Sequence, residues 1–285
     1  MNPRALPLAL FALIGPALWA QDGPEQRLRE LQARDQELRT ALEALAAPID
    51  SLKLTIIRRD LRALALPALA PGDELVEHPG HLLVYSERHE QPKWTAHIAT
   101  PDVITGNLAR IDTFLMDTKV RTGTSTVEDY WFSGFDRGHL VPSADMRWNK
   151  EALTATYFYS NISPQRPEFN RDSWSDLEDW VRRTVRFGGE RVFVVTGPVL
   201  REGLPAMDNP GHKNEVSIPE HFFKVLADLD GPERKMIGFV MRNGVNEYPT
   251  ISYAVPVDSV ERLTGLDLFP ALDDTLEARL EAQRD

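Results

Sequence analysis

Four short stretches of branched and aromatic residues limit most strongly what this chain can fold into. "KWTAHIAT" (93–100), "RVFVVTGPVL" (191–200), "HFFKVLADLD" (221–230) and "KMIGFVMRN" (235–243) are each strand-length, rich in Val, Ile, Phe and Trp, and flanked by turn-forming residues. "HLLVYSE" (81–87) and "TYFYSNIS" (156–163) continue the series. In the first of these stretches Trp94, Ala96 and Ile98 alternate with polar residues, so one face of that strand is apolar. Helical segments interleave with the strands. "NRDSWSDLEDWVRRTVRFGG" ends on Gly188-Gly189, a usual helix stop, and "DSVERLTG" places Asp258 and Glu261 at capping-box spacing before Gly265. The expected fold is α+β, a mainly antiparallel sheet with helices packed on it.

Before residue 75 the texture differs. Arg4 followed by "LPLALFALIGPALWA" (6–20) has the parts of a secretory signal peptide cleaved after Ala20, so residues 1–20 are expected to be a leader and the mature chain exported, periplasmic or secreted. Pro7, Gly15 and Pro16 interrupt the run, which argues against an uncleaved membrane anchor and against stable membrane insertion after cleavage. Leu28, Leu31, Leu38, Leu42 and Leu45 then mark an amphipathic helix. Pro48 is expected to interrupt it, with a second helical piece running to about Leu64. Such a stripe either docks on the main domain or pairs with a second copy of the chain as a short coiled coil. "ALPALAPGDE" (65–74) reads as a linker, giving a helical extension over 21–74 and a main domain over 75–285.

The chain has no cysteine, which excludes disulfides, thiolate metal sites and a cysteine nucleophile. Chemistry must rest on histidine, carboxylates, amides, hydroxyls or a hard metal. A net charge of -11 argues against a long basic nucleic-acid footprint, though not against a local basic cleft.

"FDRGHLVPSADM" (135–146) concentrates candidate chemistry. In an extended chain Arg137 and His139 share one face and Asp136 takes the other, while Gly138 admits a close approach to the backbone. A fixed cation beside a group that titrates near neutrality suits attack on a phosphate; a polar strand end with one satisfied histidine is the plainer alternative. Downstream, Trp174, Leu177, Val181 and Val185 form one helical stripe, and Glu178 falls inside it. A carboxylate there needs a partner, either an arginine in a buried ion pair or a metal with its water shell. Ser175, Asp176, Asp179, Arg182, Arg183 and Arg186 read as solvated surface. Asn170, at the start of that helix, is an N-cap or an oxygen ligand. It lies about 12 Å from Glu178 along the helix axis, a separation that suits Mg²⁺ with one direct ligand and one carboxylate acting through water. Asn161 ends a strand and is otherwise a turn residue.

"DRGHLVPSADM", "SNISPQRPEFNRDSWSDLE", "VFVVTGPVL", "FFKVLAD" and "ERLTGLDLF" together resemble the DNA/RNA non-specific endonucleases, over about residues 80 to 270. The resemblance implies a ββα-metal finger, DNA and/or RNA as partner, and Mg²⁺ as cofactor with Mn²⁺ able to take its place. It implies His139 as general base, Arg137 and Arg110 as cations at the phosphate, Asn170 as the direct metal ligand, Glu178 as a carboxylate acting on the metal through water, and Asn161 as a further active-site residue. The expected activity is sequence-non-specific hydrolysis of phosphodiester bonds to 5′-phosphorylated products. An inactive binding protein of the cell envelope with the same fold, and a phosphodiesterase acting on a non-nucleic substrate, are the alternatives.

Overall fold

The computed structural model describes residues 23–283, so the expected leader lies outside the described residues. The chain divides into two compact units at Ser51/Leu52. In chain order its main elements are α1 (Pro24–Asp60), β1 (Leu75–His78), β2 (His81–Ser86), β3 (Gln91–Ala99), α2 (Val127–Tyr130), β4 (Asp136–His139), α3 (Lys150–Ala155), β5 (Ile162–Gln165), α4 (Trp174–Gly188), β6 (Val192–Pro198), β7 (His221–Asp228), β8 (Lys235–Arg242), β9 (Ala254–Val255), α5 (Val257–Thr264) and α6 (Asp274–Glu281). Seven strands form one sheet in the order β1-β2-β3-β6-β7-β8-β9, every pairing antiparallel. β4 and β5 pair separately as a two-stranded antiparallel ribbon. This is the α+β architecture the sequence implies.

The period of two along the strands sorts side chains between two cores. Trp94, Ala96 and Ile98 of β3, Phe193 and Val195 of β6, and Phe223, Val225 and Ala227 of β7 pack with Leu61, Val257, Val260 and Leu280. The opposite face carries Val192, Val194, Phe222 and Leu226 against Trp174, Leu177, Val181 and Val185 of α4, the stripe anticipated from their spacing. The α4 face also carries a buried polar row of Thr95, His97, Thr196 and Lys224, set on the same alternation. α4 ends at Gly189, whose φ of 78° is left-handed and whose N–H bonds the Val185 carbonyl.

Two expectations about the N-terminal region need correction. Pro48 does not break the helix: α1 runs through it as one 37-residue element. The main domain does not begin at residue 75 either. Ile57, Leu61 and Ala65 are buried in the core, and the π-helical turn Leu61–Ala65 packs on β3 and β6, so 52–74 is part of the domain and not a linker. Arg191 bonds Asp60 and forks onto Asp230, tying the same turn to the sheet. Proline-rich composition at 67–71 hid this, because the apolar residues that decide it lie just upstream. Leu61 is 1% exposed, so Leu61→Ala should cost about 2–5 kcal/mol and lower the melting temperature markedly, whereas Leu38→Ala on the exposed helix should leave it nearly unchanged. Thermal denaturation of the two variants checks the boundary.

The first unit, over its described residues, is helix alone, with Leu28, Leu31, Leu38, Leu42 and Leu45 all exposed. Its ion pairs, Arg27–Glu30, Arg34–Glu37 and Arg39–Asp35, are solvated neighbours three or four residues apart and add little. No described helix is long and apolar enough to cross a membrane.

Candidate active site

β4 is the sequence Asp136-Arg137-Gly138-His139, paired residue for residue with Gln165, Pro164, Ser163 and Ile162. Gly138 faces the Gln165 side chain so closely that a Cβ would lie 2.2 Å from it, which no larger residue can meet without moving the ribbon. The close approach anticipated at Gly138 is therefore internal to the protein. Arg137 and His139 emerge on the other face, and both meet Phe114. The Arg137 guanidinium lies 4.2 Å from the Phe114 ring centroid, and the His139 ring lies 5.4 Å from it. Tyr157 meets His139 edge-on at 4.9 Å. Backbone bonds from Leu115 to Tyr157 and from Tyr159 back to Leu115 fix the platform.

His139 makes no hydrogen bond. Its Nε2 is shielded from solvent, which leaves Nδ1 as the nitrogen with an open side. Burial, then the Arg110 and Arg137 charges, push its pKa down to about 3, so the ring is neutral at pH 7. A neutral imidazole with a free lone pair, held beside two guanidinium groups, is a base and not an ion-pair member. The satisfied core histidine of the plainer reading is not what the structure contains.

Asp136, on the opposite face, ties the ribbon to the helical segment. Burial disfavours its charge, but Arg171 forks onto both carboxylate oxygens at 2.8 and 2.6 Å and Asn170 donates Nδ2 at 2.9 Å, holding its pKa below the ordinary carboxylate range. Asn170 is not an N-cap: it sits inside a π-helical turn, Phe169–Ser173, that runs directly into α4. With its amide nitrogen committed to Asp136, its carbonyl oxygen is left without a hydrogen bond. Arg110, Phe114, Asp136, Arg137, Asn170 and Arg171 line one groove of about 490 Å³, together with Tyr130 and Trp131.

Three predicted site residues are not in that lining: His139, which meets it through Phe114, and Asn161 and Glu178. Asn161 is fully buried and spends its amide on the backbone: Oδ1 accepts from Val141 N, and Nδ2 donates to the Val141 and Thr156 carbonyls. It holds the chain as it leaves His139 and has no atom free for substrate, which corrects its assignment as an active-site group. Glu178 lies one turn into α4, and its charged neighbours are Lys224, Arg182, Asp145 and Asp179. Burial raises its pKa well above the ordinary carboxylate range, against the pull of Lys224 and Arg182, and no hydrogen bond holds its carboxylate. Arg182 is not solvated surface. It bridges buried Asp145 at 2.9 Å and Asp179, while Lys224 Nζ donates to Thr196 at 2.8 Å and lies over the Trp174 ring. The sequence assigns no role to Asp136, Phe114 or Arg171. Asp136 carried a signal as the acid of the same tetrad; Phe114 and Arg171 carried none.

An unbonded amide oxygen and an unpaired carboxylate on one helical segment fit a hard divalent cation, which takes oxygen donors and keeps several waters. A neutral imidazole and fixed guanidinium groups on a ββα framework are the marks of a phosphodiesterase of the nuclease type. The chain belongs to the DNA/RNA non-specific endonuclease family, whose model matches residues 66–275. It is 34% identical over 225 residues to human "Endonuclease G, mitochondrial", covering 74% of this chain and 73% of the relative. It is 30% identical over 229 residues to a nuclease of a Nostoc species, covering 76% and 81%. A solved crystal structure of the EndoG/EndoGI complex superposes with a TM-score of 0.65 at 29% identity, covering 75% of this chain and 93% of that one.

Proposed function

We propose that this enzyme is a Mg²⁺-dependent endonuclease that hydrolyses phosphodiester bonds of DNA and/or RNA without sequence preference, leaving 5′-phosphates. The observation that carries the reading is His139: an imidazole kept neutral, with one nitrogen open and no structural bond to make. Nδ1 takes a proton from water as its oxygen bonds to phosphorus. The P–O3′ bond then breaks, and the 3′-oxygen leaves with a proton from solvent. Arg137 and Arg110 neutralise charge on the nonbridging oxygens, and Phe114 fixes the Arg137 plane. Asn170 would hold the cation directly and Glu178 through water, and the cation would supply charge neutralisation at the scissile phosphate. Mn²⁺, with the same preference for oxygen donors, is expected to substitute. Ligation of the fragments without prior kinase treatment tests the 5′-phosphate; fragments that ligate only after phosphorylation would reverse the assigned polarity.

The pH profile follows from the two shifted groups. His139, already neutral well below pH 6.5, should not set the acid limb of kcat/KM. Glu178 has a raised pKa, so acid protonates it first and weakens cation binding. Because cation and proton compete for the same carboxylate, the acid limb should move to lower pH as Mg²⁺ is increased. A limb independent of Mg²⁺ would remove Glu178 from the cation site.

We also propose export, with the mature chain beginning near Gln21. The exposed Leu28–Leu45 stripe supports pairing of α1 with a second copy, which a dimer mass lost on removal of residues 21–51 would reveal.

A further inference from the structure

α5 and α6 meet at a group of carboxylates far along the chain from the residues of the active site. One oxygen each from Asp258, Glu261 and Glu281 lies within 4.8 Å of the others. Glu281 is only 7% exposed, and its Oε1 is shut off from solvent with no hydrogen-bond partner. Glu277, one turn before it, has a second shielded and unpartnered oxygen. Glu261 does not complete the capping box its spacing suggests: α5 begins at Val257 after Pro256, and Glu261 Oε1 accepts the Leu268 N–H at 2.7 Å, leaving its other oxygen for the cluster. The basic residue within the group, Arg262, donates to the Ser259 hydroxyl. The Arg262 charge acts on Glu261, but among the described residues no basic side chain forms an ion pair with Asp258, Glu261 or Glu281. A buried carboxylate oxygen without a donor is costly, and several facing one another are costlier still.

We propose that Asp258, Glu261 and Glu281 form a second, non-catalytic site that takes a hard divalent cation of the calcium class and pins α6 to α5. The ligands are oxygen only, with neither the imidazole nor the thiolate that zinc prefers. Oxygens up to 4.8 Å apart fall within the span reached across Ca²⁺, whose bonds to oxygen are about 2.3–2.6 Å, and water completes the shell. Without the cation, burial and the facing carboxylates push Glu281 up to about 8. The cation keeps Leu280, a core residue beside Glu281, seated against the sheet.

The test uses the full chain carrying Asn170→Ala, so that an ion at the active site does not contribute. Melting temperature is read in EDTA and in Ca²⁺ at pH 7.5, alongside Ca²⁺ titration calorimetry. At a Ca²⁺ concentration a hundredfold above its Kd the parent should gain roughly 5 °C. Adding Glu281→Gln should abolish both the gain and the binding heat while melting in EDTA no lower than the parent, since it removes a carboxylate from a crowded group. If that variant does not fold, the half-buried Asp258→Asn reads the same quantity. No Ca²⁺-dependent gain in the parent, or an equal gain in the variants, would overturn the site and leave Glu281 as a protonated carboxyl shared within the cluster.

Discussion

His139→Ala should fold normally and cleave nucleic acid about 10²–10⁴-fold more slowly than the parent, the usual contribution of a general base. Folding should survive because His139 makes no hydrogen bond and, among the described residues, its ring contacts are with Phe114 and Tyr157 alone. Cation binding should change little, since Asn170 is held by Asp136 from the other face of the ribbon. The substitution also opens an imidazole-sized gap beside Arg137, so added imidazole should partly restore the rate. A histidine with a structural role would give the opposite pattern, a lower melting temperature and no rescue. Near-normal turnover in a folded His139→Ala protein would leave the open nitrogen without a chemical purpose.

Asn170→Ala should produce the second large loss. Its carbonyl oxygen is the unbonded donor at the start of α4, whereas its amide nitrogen is one of three donors to Asp136. Arg171 keeps both its bonds to Asp136 when Asn170 is shortened, so the ribbon and helix should stay joined. Activity should fall on the order of 100-fold or more at Mg²⁺ levels that saturate the parent, and rise again only in part at higher Mg²⁺. Imidazole should do nothing for this variant, which separates loss of the cation from loss of the base. Unchanged Mg²⁺ dependence would move the ligand elsewhere.

How far the sequence foretold this molecule depends on whether the signal was local. Strand periodicity in "KWTAHIAT" and "HFFKVLADLD" places Trp94 and Phe223 on one core and Phe222 on the other, because alternation is a property of the backbone. The α4 stripe and the helix stop at Gly189 follow for the same reason. Arg137 and His139 sharing a face is likewise local, and the Phe114 ring beneath both bears it out. Long-range pairing was not legible. Nothing near Asn161 says that its amide closes on Val141 and Thr156, and an asparagine bonded wholly to backbone looks in sequence like one that binds substrate. Arg182 lies off the apolar stripe yet is drawn inward by Asp145, 37 residues earlier. The mistaken boundary at residue 75 has a similar origin: Pro67 and Pro71 suggest a linker, while Leu61 and Ala65 are held by β3 and β6, a contact that no local pattern reports.

The central claim, that this chain hydrolyses internal phosphodiester bonds with a histidine base and a divalent cation, is tested most directly on supercoiled plasmid. Full-length protein stripped with EDTA is incubated with plasmid, Mg²⁺ is then added, and His139→Ala and Asn170→Ala run in parallel. The account predicts no conversion before Mg²⁺, rapid passage through nicked and linear forms to fragments after it, and only slow nicking by either variant. Cleavage that ignores EDTA, or a plasmid that stays supercoiled with Mg²⁺ present, would contradict it.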